Sequence, residues 1–229
     1  MLKYQEIAKK IFLYIQDSHL KQGDKLPSLT DLVNIYPASK TTILKALAEL
    51  ERDGFIYQVQ GSGTFVRNIP SDEYINFDLN HGWTNDFTKK NTDNTDVHVT
   101  KMMPSLDIAK KLHSAISTPV FKVQRIKSLN NKVFCYETSY YNSKFVPFLN
   151  EAIAKDSLFS YIKQAYNISV GFSDKYFCVR NFSSEETAKL GLPTNSCGLS
   201  VHETFYSTGG DVFDYSENIY HPDNAKFHL

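Results

Sequence analysis

The sequence predicts an α+β protein in which a small, mostly helical domain precedes a larger domain built on an antiparallel sheet. Two observations lead to this fold class. The segment 23–66 reads as turn, helix, turn, helix, turn and then two short strands around a glycine turn. Beyond residue 97, hairpin signals and a further strand alternate with short helical patterns, which is typical of an antiparallel sheet flanked by helices.

Helix signals organise the first domain. Tyr4–Ser18 carries isoleucines at every fourth position, which is the apolar stripe of an amphipathic helix. A second helix follows Ser28, with Asp31 in the capping-box position, and a third helix follows Ser39 as its N-cap. Gly54 is predicted to end the third helix in the left-handed conformation.

A hairpin completes this domain, predicted over residues 1–68, as a winged helix-turn-helix. Phe55–Val59 and Thr64–Val66 are predicted strands around a glycine turn. A recognition helix needs small polar and cationic residues at its exposed start, where they reach base edges and phosphates. An ordinary capped helix followed by a hairpin is the alternative, but the order and spacing of the motifs favour DNA binding. The predicted DNA-contacting residues are Ser28, Thr30, Ser39, Lys40, Thr41, Thr42, Lys45, Gly61, Ser62 and Gly63.

The segment Tyr4–Val66 resembles the DNA-binding domain of the GntR family of bacterial transcription regulators, and the resemblance implies double-stranded operator DNA as a partner. The sequence departs from the family pattern at Thr30, Lys40 and Leu44, where the family commonly has arginine. Arginine binds guanine bidentately, and lysine or threonine does so less well, so these departures predict a divergent operator or weaker binding. The motifs that carry the resemblance are Gly23-Asp24-Lys25-Leu26-Pro27-Ser28, Ser39-Lys40-Thr41-Thr42 and Gly61-Ser62-Gly63-Thr64-Phe65-Val66.

A polar stretch containing a proline predicts a linker at residues 69–78, followed by the second domain at residues 79–229. Residues 81–96 are rich in Asn, Thr, Asp and Lys and are predicted to form a loop, from which Trp83 and Phe87 pack on the second core. Asparagine and glycine pairs mark the turns of two hairpins. The predicted elements are a helix at 105–113, strands at 120–129 and 132–141, a helix at 157–166, a strand at 171–180, a helix from Ser183 to Gly191, and strands at 198–208 and 211–220.

The second domain is similar to the UTRA effector-binding domain of the HutC-type branch of the GntR family, which has a chorismate-lyase-like fold. In relatives that sense sugar phosphates, the matching strand carries Arg-x-Arg and the matching helix carries Ser-Leu-Tyr. Lys127 and Phe159 are therefore departures that remove hydrogen-bond donors. The matching segments are Gln124-Arg125-Ile126-Lys127, Tyr136-Glu137-Thr138-Ser139-Tyr140, Ser157-Leu158-Phe159 and Tyr215-Ser216-Glu217-Asn218-Ile219-Tyr220. The resemblance implies effector binding at Arg125, Lys127, Glu137, Ser157, Phe159, Glu217 and Tyr220.

The residue pattern agrees with an anionic effector. Arg125 and Lys127 alternate with Ile126, so both point to one face of their strand and can clamp a phosphate. Glu137 and Glu217 can accept hydrogen bonds from sugar hydroxyls or from an amine. The alternative is that the two cations pair with glutamates on a solvated sheet face.

Composition excludes several other classes of protein. Twenty-five basic residues balance twenty-five acidic residues, so the whole chain carries no cationic excess. The three cysteines lack a Cys-x-x-Cys pair, which argues against a zinc ribbon or a disulfide scaffold and favours buried free thiols. The histidines show no metal-ligand spacing, and no metal or cofactor is expected. No apolar stretch reaches membrane-spanning length and the start does not resemble a signal peptide, which predicts a cytoplasmic protein.

The sequence therefore predicts a homodimeric transcription regulator, most simply a repressor of a carbohydrate-uptake or catabolic operon, controlled by a small anionic effector such as a sugar phosphate. Two alternatives remain open. The first is an enzyme related to chorismate lyase, although no nucleophile–base pair, metal motif or cofactor loop is present. The second is a regulator that has lost effector control through the changes at Lys127 and Phe159.

Overall fold

The computed structural model describes residues 2–67, 74–76 and 92–228, so the predicted packing of Trp83 and Phe87 lies outside the described residues. The chain divides into two compact units, Met1–Ser71 and Asp72–Leu229. Within the described ranges, no helix is both long enough and apolar enough to cross a membrane.

The first unit is a winged helix-turn-helix, as predicted. Its helices are α1 (Lys3–Asp17), α2 (Leu29–Ile35) and α3 (Lys40–Arg52), and its strands are β1 (Ile56–Val59) and β2 (Gly63–Val66). The two strands pair antiparallel, with Ile56 opposite Val66 and Val59 opposite Gly63. Gly54, which follows the C-cap residue Asp53 of α3, has a φ of +77°, so the predicted left-handed end of this helix is confirmed.

The core of the first unit lies between α1, α2 and α3. The isoleucine stripe of α1 is buried against the apolar side of α3. Phe12 of α1 also packs on Phe55, with ring centroids 4.5 Å apart, which ties the helices to the start of the wing. The buried side chains of α1 and α3 include Ile7, Ile11, Phe12, Ile15, Ile43, Leu47 and Leu50.

The second unit is built on a six-stranded antiparallel sheet. Its strands are β3 (Tyr74–Asn76), β4 (Thr92–Met102), β5 (Val120–Leu129), β6 (Lys132–Asn142), β7 (Val170–Asn181), β8 (Cys197–Ser207), β9 (Val212–Tyr220) and β10 (Lys226–His228). The order of the large sheet is β4-β5-β6-β9-β8-β7, so β4 and β7 are its edges among the described strands. The two predicted hairpins, β5–β6 and β8–β9, are confirmed.

The helices that accompany the sheet among the described residues are α4 (Leu106–Lys111), α5 (Glu151–Ala154), α6 (Leu158–Tyr166) and α7 (Ser184–Leu190). The predicted capping box of α7 is present, because Ser183 and Glu186 bond each other's backbone N–H groups. Leu158 and Ile162 of α6 join an apolar cluster with Val123 of β5. Leu190 of α7 belongs to a different cluster, which contains side chains of β6 and β9.

Two elements differ from the prediction. Residues 92–96, which were expected to extend the loop, belong to β4 and pair with β5 from Thr92 opposite Leu129. Backbone pairing with a neighbouring strand overrides the weak strand preference of Asn and Asp at this edge. Helix α5 was not predicted because its four residues are too few to show helical periodicity.

The predicted linker at residues 69–78 also contains a strand. Tyr74–Asn76 forms β3, which pairs in parallel with β10 near the end of the chain. This strand belongs to the second unit, whose boundary with the first falls between Ser71 and Asp72. Three residues are too few for an alternation pattern, so the sequence gives no signal for this pairing.

The cysteines were predicted to be buried thiols, and this is correct only for Cys135. Cys178 and Cys197 are exposed and free. Both lie at the β7 side of the sheet, where strand β7 has no further neighbour among the described strands. The exposure of Cys178 follows from this edge position, whereas Cys197 is the first residue of the neighbouring strand β8.

Candidate functional site

The start of α3 is held by two side-chain hydroxyls. Ser39 Oγ accepts a hydrogen bond from the backbone N–H of Thr42 at 3.2 Å, and the Ser39 and Thr42 hydroxyls lie 2.8 Å apart. Both hydroxyls are therefore engaged in capping the helix. Their contribution to the site is to fix the first turn of α3.

The exposed side of α3 carries the other predicted contacts of this helix. Lys40, Thr41 and Lys45 are all exposed, while Ile43 and Leu47 point into the core. Leu44, at the position where the family commonly has arginine, is also exposed. This surface offers two cations and one free hydroxyl to a partner, which suits phosphates and base edges.

Helix α2 begins with the predicted capping box. The backbone N–H of Asp31 donates to Ser28 Oγ at 3.2 Å, and the backbone N–H of Ser28 donates to Asp31 Oδ2 at 3.1 Å. Ser28 is thus a capping residue in this structure. Thr30 is exposed on the first turn of α2.

The turn of the wing depends on glycine. Gly61 and Gly63 have φ values of +76° and +123°, which L-residues with a Cβ rarely adopt. Ser62 lies between them and is exposed. Lys25 lies against the base of the wing, with its Nζ 6.0 Å from the centre of the Phe65 ring. The cation of Lys25 therefore lies beside the wing.

In the second unit, several predicted effector residues share one face of the sheet, which we call the Arg125 face. Arg125 lies opposite Glu137 on β6, and Glu137 lies opposite Asn218 on β9. Directly opposed residues in a sheet point to the same side. Arg125 Nε bonds Glu137 Oε2, and Lys127 Nζ lies 3.2 Å from the same oxygen. The predicted alternative of ion pairing is thus present, but Arg125 and Glu137 are buried and not on a solvated face.

Arg125 also connects the sheet to the turn that precedes α6. Its Nη1 donates to the carbonyl oxygens of Ala154 at 3.0 Å and Asp156 at 3.3 Å. Ser157 follows as the N-cap of α6. Phe159 packs edge-on against Phe205 of β8, with ring centroids 4.8 Å apart. The structure therefore brings Arg125, Lys127, Glu137, Ser157 and Phe159 to one side of the sheet.

The electrostatics of this cluster are set by burial and by the two cations. Burial alone would raise the pKa of Glu137, but the charges and hydrogen bonds of Arg125 and Lys127 outweigh it and lower that pKa to about 2. Glu137 is therefore ionised at neutral pH and neutralises part of the positive charge.

Sequence reasoning missed two further acids on the Arg125 face. Asp214 is fully buried, lies opposite Tyr141, and accepts hydrogen bonds from the Ser216 hydroxyl at 3.0 and 3.1 Å. Burial and the nearby Glu137 raise its pKa well above the ordinary value. Glu203 is bound by Lys175 at 3.3 Å, and burial raises its pKa too. The available signal for Asp214 was an acidic residue between the apolar and aromatic residues Phe213 and Tyr215.

Glu217 does not share a site with Glu137. It lies opposite Thr138 on β6 and His202 on β8, which places it on the other face of the sheet. There it pairs with Arg180 at 2.9 Å. Neighbouring residues of one strand alternate between faces, so Glu217 and Asn218 cannot both point toward Arg125. The two predicted glutamates, Glu137 and Glu217, therefore lie on opposite faces of the sheet.

Tyr220 lies on the Arg125 face but at one end of it. It is opposite Cys135 and packs on Phe227, with ring centroids 4.8 Å apart. Its side chain is 7% exposed and belongs to an apolar cluster with Leu129 and Val201. The structure therefore gives Tyr220 a packing role.

Comparison with known proteins decides the family. The bacterial regulatory proteins of the gntR family match residues 3–66, and the UTRA domain matches residues 89–226, which is more than half of the chain. The chain belongs to the GntR family. It is a bacterial transcription regulator with an N-terminal DNA-binding domain and a C-terminal UTRA domain.

Full-length relatives agree with this assignment. The HTH-type transcriptional regulator YydK of Bacillus subtilis is 37% identical over 99% of this chain and 96% of its own length. The mannosyl-D-glycerate transport/metabolism system repressor MngR of Escherichia coli is 25% identical over 99% of this chain and 94% of its own. The crystal structure of YydK superimposes with a TM-score of 0.90 at 34% identity, covering 98% of each chain. This GntR regulator therefore shares both of its domains with a solved relative.

Proposed function

We propose that this GntR regulator is a repressor of a carbohydrate-uptake or catabolic operon and that a small anionic effector such as a sugar phosphate controls its binding to the operator. The observation that carries the effector proposal is the charge of the Arg125 face. Three cations, Arg125, Lys127 and Lys175, lie on this face with the carboxylates of Glu137 and Glu203, and burial favours the neutral form of Asp214. A positive excess in a largely buried cluster favours an anion.

The repressor part of the proposal has independent support. The relatives MngR of E. coli and NagR of B. subtilis are named repressors, and MngR acts on a system for a sugar derivative according to its name. These relatives are 25% and 23% identical to this chain over nearly its whole length. They support the class of regulated system and leave the particular sugar to experiment.

The first test addresses DNA recognition by α3. Lys40→Ala and Thr41→Ala are expected to weaken binding to operator DNA from the regulator's own upstream region, measured by fluorescence anisotropy at physiological salt. Lys10→Ala on α1 removes an exposed cation from the same unit and is the matched control. Unchanged affinity of both α3 variants would exclude α3 as the recognition helix.

The second test addresses the effector. Calorimetry with hexose 6-phosphates and the corresponding free sugars is expected to give heat for a phosphate and little for its free sugar. Lys127→Met should weaken that binding, whereas Lys101→Met on the exposed edge strand β4 should not. Heat with neither class of ligand would favour the alternative of a regulator without this effector control, and turnover of a ligand would favour an enzyme.

A homodimer is part of the proposal, with a second copy of this chain on the edge strand β7. Tyr176 and Val179 on this strand are 67% and 76% exposed, and Phe172 and Phe177 are also exposed. An edge strand of twelve residues with apolar side chains is a ready template for another strand. Antiparallel pairing of two such edges about a two-fold axis satisfies both at once.

A further inference from the structure

Leu44 places an apolar side chain in the middle of the surface that α3 offers to DNA. Its side chain is 43% exposed. Lys40 and Thr41 precede it by four and three residues, so they are its neighbours on the helix surface, and Lys45 follows it directly. Ala48, one turn further on, is exposed as well. The exposed side of α3 is thus apolar at its centre and cationic beside it.

The same surface lacks the side chain that reads guanine best. The sequence of α3 contains a single arginine, Arg52, at the last position of the helix. Arg52 is bound to Glu49 at 2.7 Å and to Asp53 at 3.5 Å. The hydroxyls of Ser39 and Thr42 are engaged in capping. Helix α3 therefore offers no bidentate donor at the position of Leu44.

Base chemistry then distinguishes the possible partners of Leu44. Thymine is the base that presents a methyl group in the major groove, and apolar side chains contact that methyl favourably. Guanine presents two acceptors there, and covering them with leucine would remove them from water without a donor in exchange. The energetic preference of an exposed leucine in this groove is therefore for an A·T base pair.

We propose that Leu44 is a specificity-determining residue that contacts the C5-methyl group of a thymine in each half-site of the operator. Lys40 and Lys45 bind the phosphates on either side, and Thr41 supplies a hydroxyl to the neighbouring base or phosphate. This inference rests on the proposed role of α3 as the recognition helix. It assigns the operator a thymine at the base pair that Leu44 covers.

Replacement of thymine by deoxyuridine tests this contact directly, because it removes the methyl group and keeps the base pairing and the O4 acceptor. A preferred site is first selected from random duplex DNA with the full-length protein. Each thymine in it is then replaced singly, and binding is measured by fluorescence anisotropy. For the wild-type protein we expect one position in each half-site where affinity falls about fourfold, the effect of one buried methyl group.

Substitutions of Leu44 test whether this residue is the one that contacts the thymine methyl group. Leu44→Ala should bind the thymine and deoxyuridine sites equally, and Leu44→Arg should select guanine at the same position. Leu13→Ala, which shortens an exposed leucine of α1 in the same unit, should keep the preference for thymine. A preference that persists in Leu44→Ala would overturn the inference.

Two further outcomes separate this inference from the proposed function. Specific binding by the wild-type protein that ignores every deoxyuridine replacement would overturn the thymine contact and leave the DNA-binding role intact. Selection that enriches no sequence at all would instead contradict the proposed DNA-binding function. Because Leu44 and Leu13 are both exposed, the domain is expected to fold in both Leu44 variants and in the Leu13→Ala control.

Discussion

Arg125 and Glu137 of the UTRA domain are buried charged residues that also belong to the proposed effector site. Arg125 and Glu137 are both nearly inaccessible, and each is the principal charged partner of the other. A buried ion pair contributes little net stability compared with an apolar pair of the same volume. Removal of one partner is costly, however, because the remaining charge stays buried without compensation.

Glu137→Gln is therefore expected to destabilise the folded protein by about 3–5 kcal/mol, measured by urea unfolding near pH 7. The folded pKa of Glu137 is about 2, below the ordinary 4.5. The stability that its ionised form supplies is thus complete above pH 4.5 and is lost as the pH falls toward 2. The difference between wild type and variant should shrink in that window. Glu151→Gln on the exposed start of α5 is the control, and an equal loss there would contradict the explanation.

Asp214→Asn should have the opposite dependence on pH. The pKa of Asp214 is raised in the folded state, so folding binds a proton there, and the associated stability is lost as the pH rises above the ordinary 3.8. The neutral asparagine has no proton to bind. The variant should gain stability relative to the wild type as the pH rises above 3.8, by up to about 1.4 kcal/mol for each unit of pKa shift. Thermal unfolding at several pH values measures this gain, and a difference independent of pH would argue against it.

Elements were predicted best where the chain carries its own local signals. The capping residues Ser28, Ser39 and Ser183 and the turn glycine Gly54 fix helix ends through neighbouring atoms, so the sequence identifies them directly. The two faces of the sheet were harder, because the side on which Glu217 lies depends on register with strands distant in sequence. Local patterns determine alternation along one strand and do not determine which face receives a ligand.

The edge strand β7 is the element proposed to form the homodimer interface, and this can be tested by substitution. Val179→Lys places a charge on an exposed apolar position of β7 and should convert the proposed homodimer to a monomer, since a buried unpaired charge opposes strand pairing. Light scattering coupled to size exclusion measures the mass in solution. Leu106→Lys on α4 changes a similarly exposed residue of the same unit and should leave the mass unchanged. A dimer that persists in Val179→Lys would place the interface elsewhere.

The whole molecule joins a DNA-binding domain to an effector domain, and the sequence identified both because their motifs are long and specific. The sequence did not identify Asp214 and Glu203 of the Arg125 face, because their burial arises only when β8 and β9 lie side by side. The chain carries no net charge, so we expect its affinity for DNA to come from local cations such as Lys40 and Lys45.

Coupling between the two domains should be reciprocal. If the effector weakens operator binding by a given factor, then operator DNA must weaken effector binding by the same factor. Couplings of this kind typically amount to about 5- to 150-fold. Titration of effector with and without saturating operator duplex measures one factor, and anisotropy with and without effector measures the other. Unequal factors would show that the two ligands do not act on one two-state equilibrium.

The three cysteines differ in burial, so the rates at which a dye labels their thiols report on the structure around them. Burial raises the pKa of Cys135 to about 12, so its thiol is both shielded and protonated. Cys178 and Cys197 are accessible, and Cys178 lies on β7. A thiol-reactive dye should therefore label Cys197 quickly and Cys135 only on unfolding. The labelling rate at Cys178 would then follow the covering and uncovering of this strand without any engineered probe.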